Sequence, residues 1–208
     1  MMSRAIVLGA LIGALASLYA SSPPAAAHEG HDHASEAALT PAPNPDHERA
    51  RDYFTDLPVV TQDGQKLRFY TDVLKDKVVL VNLFYTSCED ACPMITSKMA
   101  AVQDLLGDDL GRIIHFVSIT VDPETDTPAV IKEYAEHFQS RDGWLFLTGE
   151  KEDLSTIVRR LGQPGDNVEA HPPFLLVGDT RRAYWRKLMP NVEDKPLAAA
   201  LRKLADGI

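Results

Sequence analysis

Hydrophobic positions cluster along this chain in two different rhythms. Residues 78–84 (VVLVNLF) form an apolar, β-branched run broken only by Asn82, the pattern of a strand buried on both faces. Residues 113–121 repeat that pattern. Between the two, Ile95, Met99, Val102 and Leu106 recur at helical spacing, so 93–106 is read as a helix. Proline in a first turn marks a further helix over 128–138. Residues 144–147 read as a short strand and 151–161 as a helix stopped by Gly162. Residues 174–177 and 183–188 form a closing hairpin, followed by a last helix over 194–205. Ahead of the first buried strand, 59–61 and 66–69 flank an Asp63-Gly64 turn and make an N-terminal β-hairpin. The chain contains no internal repeat.

After the hairpin, the order β-α-β-α-β-α-β-β-α predicts an α/β domain, a central sheet of parallel and antiparallel strands flanked by helices. Thioredoxin-like proteins share this layout. In them a cysteine motif stands between a buried strand and the next helix, and an antiparallel hairpin precedes a C-terminal helix. The loop after the carboxyl end of a strand is where such sheets place their sites.

The N-terminus follows neither rhythm. Arg4 precedes an uncharged, mostly apolar run over 5–20, and Ala25 and Ala27 supply a small-x-small cleavage pattern. We expect residues 1–27 to be an export signal, with an uncleaved anchor as the alternative. The run is short for a span of about 20 residues, and no cysteine stands nearby for lipid attachment. Residues 28–52 lack apolar periodicity, carry Pro41, Pro43 and Pro45, and hold six acids against two arginines. They are read as a disordered leader, leaving 53–208 as the folded domain. The expected location is outside the cytoplasm, in a periplasm, soluble or tethered by the N-terminal segment.

Composition narrows the function. The 208 residues are 45% hydrophobic and 25% charged, ordinary for a globular chain. With 21 basic residues against 30 acidic the net charge is -9, which argues against nucleic acid. Cys88 and Cys92 are the only cysteines. Two cannot build a disulfide-framework mini-protein, a four-cysteine zinc site or a cysteine-ligated iron–sulfur cluster. Outside the cytoplasm a close cysteine pair is oxidised unless it is reduced or metallated.

Those cysteines sit in Cys88-Glu89-Asp90-Ala91-Cys92-Pro93, directly after the strand ending at Phe84. Three residues separate them, one more than the usual redox spacing. Cys92 is expected at or just before the helix start, with Pro93 first in the helix, where free N–H groups stabilise a thiolate. Two thiolates suit Cu(I), and a neutral imidazole suits Cu(I) and Cu(II) alike. His171, in Ala170-His171-Pro172-Pro173-Phe174, precedes a strand expected beside the cysteine-bearing one and is the candidate third ligand. The plainer readings are a backbone-bonded histidine and a stabilising disulfide, though so small a loop adds little by chain entropy.

Tyr85-Thr86-Ser87-Cys88-Glu89-Asp90-Ala91-Cys92-Pro93 resembles the F-x-x-C-x-x-x-C-P signature of the Sco/SenC copper-binding proteins. Ser118-Ile119-Thr120-Val121-Asp122-Pro123-Glu124-Thr125-Asp126-Thr127-Pro128 is similar to their strand-end segment, and Gly143-Trp144 and Leu147-Thr148-Gly149 to their next strand. The resemblance covers about residues 54–206. It implies a thioredoxin-like fold binding one copper through Cys88, Cys92 and His171. It also implies a role in assembling the copper-A centre of cytochrome c oxidase, with subunit II or another exported cuproenzyme as client. Other periplasmic copper or thiol-redox proteins would be its exchange partners. The chain departs from the family at Ala170, where Asp commonly precedes the histidine (Glu169 stands one further back), at the two prolines after His171, and at Gly178-Asp179-Thr180-Arg181.

Other residues are weighed against plainer roles. His28, His31 and His33 form either a solvated leader or a weak metal-gathering segment. Asp122 is read as a turn former, Met94 and Met99 as core rather than thioether ligands, and Tyr184 and Trp185 as strand packing rather than docking residues. Glu89 and Asp90 are read as solvated, able to steer a cationic partner. Three functions stay open: a copper metallochaperone, a thiol–disulfide oxidoreductase in which Cys88 attacks and Cys92 resolves, and a redox-sensing binding protein. A peroxidase would leave the extra spacing and His171 without a purpose.

Overall fold

A computed structural model describes residues 47–163 and 173–207. The expected export signal, residues 28–46 of the expected leader and His171 lie outside the described residues. The two unbroken apolar runs become the middle of one seven-stranded sheet. In chain order the strands are β1 (Pro58–Thr61), β2 (Lys66–Arg68), β3 (Val78–Phe84), β4 (Ile114–Thr120), β5 (Trp144–Thr148), β6 (Leu175–Asp179) and β7 (Tyr184–Leu188). Their spatial order is β2-β1-β5-β4-β3-β6-β7. β3, β4 and β5 run parallel. The β6–β7 hairpin closes one side antiparallel to β3, and the β1–β2 hairpin closes the other antiparallel to β5. All seven residues of β3 are buried, because helices cover both faces.

The helices are α1 (His47–Phe54), α2 (Ala91–Leu106), α3 (Pro128–His137), α4 (Lys151–Arg160) and α5 (Asp194–Asp206). Alternation along β3 sorts the core into two halves. Val78, Leu80 and Phe84 meet Ile95, Met99, Val102, Ile131, Leu197 and Leu201 on one face. Val79, Val81 and Leu83 meet Phe54, Tyr70, Leu154 and Ile157 on the other. On the first face the indole of Trp144 donates to Ser118 Oγ (2.9 Å), and that hydroxyl donates to Asn82 Oδ1 (2.6 Å). This chain of polar groups ties the three central strands inside the core and accounts for the one polar residue in the β3 run.

Two elements differ from the sequence reading. α1 begins inside the stretch read as a disordered leader. Its apolar side is narrow, Ala50 and Phe54 one turn apart, yet Phe54 packs on Trp185 with ring centres 4.6 Å apart. His47 Nδ1 also hydrogen-bonds the Tyr70 hydroxyl at 2.8 Å. Tertiary contacts hold a segment whose own pattern is too weak to call a helix. The second is a single π-helical turn, Phe69–Leu74, where the sequence pattern predicts only the end of a strand. Its Phe69, Tyr70, Val73 and Leu74 are all buried.

Candidate functional site

β3 ends at Phe84, and the chain turns through a loop into α2 at the carboxyl edge of the parallel strands. The helix starts at Ala91, one residue earlier than the nearest start the sequence suggested. Cys92 is therefore the second helical residue and Pro93 the third, a place where a missing N–H costs nothing. The consequence for the thiols is a correction. The free helix N–H of Cys92 points at Cys88, with its nitrogen 3.4 Å from Cys88 Sγ. It is Cys88, on the loop, that the helix end serves.

Both cysteines are free thiols, Cys88 half-buried and Cys92 buried. Burial raises the Cys88 pKa, but donors outweigh it: the Cys92 thiol, the backbone N–H groups of Cys92 and Asp90, and the Tyr85 hydroxyl. The net shift is below an ordinary thiol. Burial pushes Cys92 the other way, to about 12, reinforced by its hydrogen bond to Cys88 and by the Cys88 charge. The pair is thus a half-buried thiol of lowered pKa resting on a buried thiol of raised pKa. Native protein should accordingly be alkylated by iodoacetamide at Cys88 and spared at Cys92. The Cys88 rate should titrate with a midpoint below that of an ordinary thiol. Peptide mapping of samples quenched across a pH series reads both, and faster labelling of Cys92 would contradict the arrangement. The raised Cys92 value also fixes a sign. The unfolded chain releases that proton before the native one does, so stability from this group is lost as pH climbs from the ordinary thiol range toward about 12.

The wall under Cys92 is aromatic. Thr96 Oγ1 donates to the Cys92 carbonyl at 2.8 Å and meets the Tyr134 hydroxyl at 3.1 Å. Tyr134 stacks on Phe84, ring centres 5.1 Å apart, and burial pushes its phenol to about 12. Glu89 and Asp90 are exposed between the cysteines, as their charge predicts. Asp122 acts as a turn former: its carbonyl accepts from Thr125 N–H (3.2 Å) and Asp126 N–H (2.9 Å).

A residue the sequence reading did not single out is Asp126. It is fully buried, and among the described residues no cation pairs with it. Its carboxylate accepts from the Thr86 N–H at 3.2 Å, from the Thr86 hydroxyl and from the Thr120 hydroxyl. One carboxylate therefore ties the cysteine loop to the end of β4. The sequence did hold a signal, a second aspartate four residues after Asp122 and just before a helix start, but either one could have been the turn former.

The remaining candidates divide. Met99 is core, fully buried. Met94 is not: it is 59% exposed, because α2 turns that position away from the sheet. Trp185 packs on Phe54 and over Gly178, as strand packing requires, and Tyr184 packs against the core. A cleft of about 680 Å³ lined by Tyr53, Phe54, Tyr70, Leu161 and Trp185 lies on the sheet face opposite Cys92. Among the described residues no three histidine, cysteine or carboxylate side chains gather as a metal set. No helix among them is long and apolar enough to cross a membrane.

The model of the family described as SCO1/SenC matches residues 46–206 of this chain. The chain belongs to the SCO1/SenC family. An SCO2-like protein of Rickettsia felis is 34% identical over 102 residues, 49% of this chain and 47% of that protein. The chain thus matches about half the length of this relative. Among solved structures, an SCO1/SenC family lipoprotein from Bacillus anthracis superposes with a TM-score of 0.62 at 24% identity, over 71% of this chain and 92% of the other. ScoI of Bradyrhizobium japonicum, solved with copper bound, does so at 0.60 and 22%, over 71% and 96%. Both place this chain in the mixed α/β, thioredoxin-like fold of Sco proteins. The family match begins at residue 46, one residue before α1, so α1 belongs with the domain rather than with the leader.

Proposed function

We propose that this protein is an exported copper carrier that holds one copper through Cys88, Cys92 and His171 and yields it to an exported cuproenzyme by ligand exchange. The observation that carries the reading is the thiol pair: two unlinked sulfurs in mutual contact at the open edge of the sheet, one with its pKa lowered by the donors around it. A soft monovalent ion is what such a pair binds, and an imidazole completes a set that also tolerates Cu(II). The strand order supports His171 as the third donor. β6 runs antiparallel to β3 with Val81 opposite Leu176. Continuing that register sets Pro173 level with Phe84, so the chain just before β6 enters at the edge where the cysteine loop leaves. The SCO1/SenC membership and the copper-bound relative point the same way. The client we propose is the copper-A subunit of cytochrome c oxidase.

One observation favours a second reading. A lowered Cys88 beside a raised Cys92 is the asymmetry that thiol–disulfide exchange uses, a more accessible attacker and a protected resolver. The copper reading predicts that reduced protein takes up one tightly held copper while the Cys88–Cys92 disulfide form takes none, since thiolates are the ligands. Titration of both forms with copper checks this, and equal tight binding would remove the dithiolate site.

A further inference from the structure

Two of the chain's five methionines are exposed side chains at the same end of the domain. Met94 is 59% exposed and Met189 67% exposed. Their shared end of the domain follows from how α2 and α5 pack. Lys98 on α2 donates to Asp194 Oδ1 (2.6 Å) and to the Val192 carbonyl (2.7 Å). Farther along, Arg202 on α5 donates to Asp109 Oδ2 (2.6 Å) and to the Leu105 carbonyl (2.7 Å). The two helices therefore run side by side in the same direction. Met94 lies one turn before Lys98 on the same side of α2. The turn that opens at Met189, whose carbonyl accepts from Val192 N–H at 3.2 Å, leads into α5 at that same end. That turn sits at the cysteine edge of the sheet. Leu188, the last residue of β7, pairs with Leu175, the first of β6, and β6 starts where β3 ends.

We propose that Met94 and Met189 form a second, weaker site for a soft monovalent cation, Cu(I), beside the dithiol. Thioethers are neutral and polarisable, and they select Cu(I) over harder ions. Two of them hold it less firmly than two thiolates do, so the ion passes on toward Cys88 and Cys92 rather than resting there. The exposed Glu89 and Asp90, on a chain of net charge -9, draw a cation to this edge. Helical packing does not require a methionine at either place, since neither side chain is in the core. The binding stands on this geometry alone; the entry role rests on the copper reading of the dithiol.

The test separates the two. In the full chain carrying Cys88→Ser and Cys92→Ser, with methionine methyls labelled with carbon-13, Ag(I) serves as a redox-inert probe. The Met94 and Met189 methyl signals should shift together and saturate at one equivalent, while buried Met99 stays put. Met94→Leu should abolish the Met189 shift, and Met189→Leu the Met94 shift. Two signals that titrate independently, or a Met189 shift that survives Met94→Leu, overturn the shared site. With both cysteines present, Met94→Leu/Met189→Leu should slow Cu(I) loading of the dithiol without changing the final stoichiometry. An unchanged loading rate overturns the entry role. A protein that shows the silver response but loads no Cu(I) on its thiols refutes the copper reading and leaves the thioether site standing.

Discussion

Asp126→Ala should cost the fold about 3–5 kcal/mol and loosen the cysteine loop. The substitution strands three donors at once, the Thr86 N–H and the Thr86 and Thr120 hydroxyls. An unsatisfied buried donor costs about 1–3 kcal/mol, and the vacated volume adds to it. Thr120 is fully buried, out of reach of bulk solvent. Asp126→Asn should cost less, about 1–2 kcal/mol, because an amide of the same shape keeps one acceptor and the hydroxyls can rotate. Urea midpoints at constant slope measure both. The functional part of the effect is read separately, below the unfolding transition. Thr86 is two residues from Cys88, so its release should raise Cys88 mobility and the alkylation of Cys92, which the loop otherwise covers. An alanine variant with wild-type stability and wild-type Cys92 protection would make Asp126 a bystander.

How far this arrangement could be read in advance depends on what kind of interaction fixes each part. The central strands were legible because burial on both faces writes itself as an apolar run, and 78–84 returned as β3 residue for residue. The C-terminal hairpin and α5 were legible from turn chemistry and helical period within one or two residues of their ends. α1 was not, because what holds it is Trp185 and Tyr70, residues far along the chain that no local window sees. The same limit applies to the site. The spacing of Cys88 and Cys92 announced soft-metal or redox chemistry. Which thiol is poised depends on donors and burial that only the fold gathers around the pair, among them the Cys92 N–H, whose direction follows from where α2 begins. Helix ends are the least readable boundary in a sequence. Asp126 was hidden for a related reason: its partners, Thr86 and Thr120, come together only when β3 and β4 pair in register at Phe84 and Thr120. Met94 was misread as core because α2 carries apolar residues on more than one side, and only the packed sheet shows which side is inward.

His171→Ala separates the copper reading from the reductase reading, and it should do so by a wide margin. With both cysteines intact, the variant should lose stable Cu(II) and copper delivery. Two thiolates alone leave Cu(II) under-coordinated and open to reduction by those same thiolates, whereas an imidazole supplies a donor that accepts both oxidation states. Disulfide exchange has no such need. It requires an attacking thiolate and a resolving thiol, and both properties come from groups on the cysteine loop and α2, the Cys92 N–H foremost among the backbone donors. Removing an imidazole can still shift the Cys88 pKa. A shift alters the thiolate fraction, but nucleophilicity moves oppositely with a slope of about 0.4–0.5, so exchange should stay within roughly tenfold of wild type. The expected result is therefore a protein that reduces a test disulfide at near-normal rate, shows no lasting Cu(II) spectrum, and leaves oxidase copper content low in cells. If delivery is normal while Cu(II) binding is lost, thiol reduction is the working activity. If binding and delivery both survive, His171 is no ligand, and the third donor has to be sought elsewhere at the same edge.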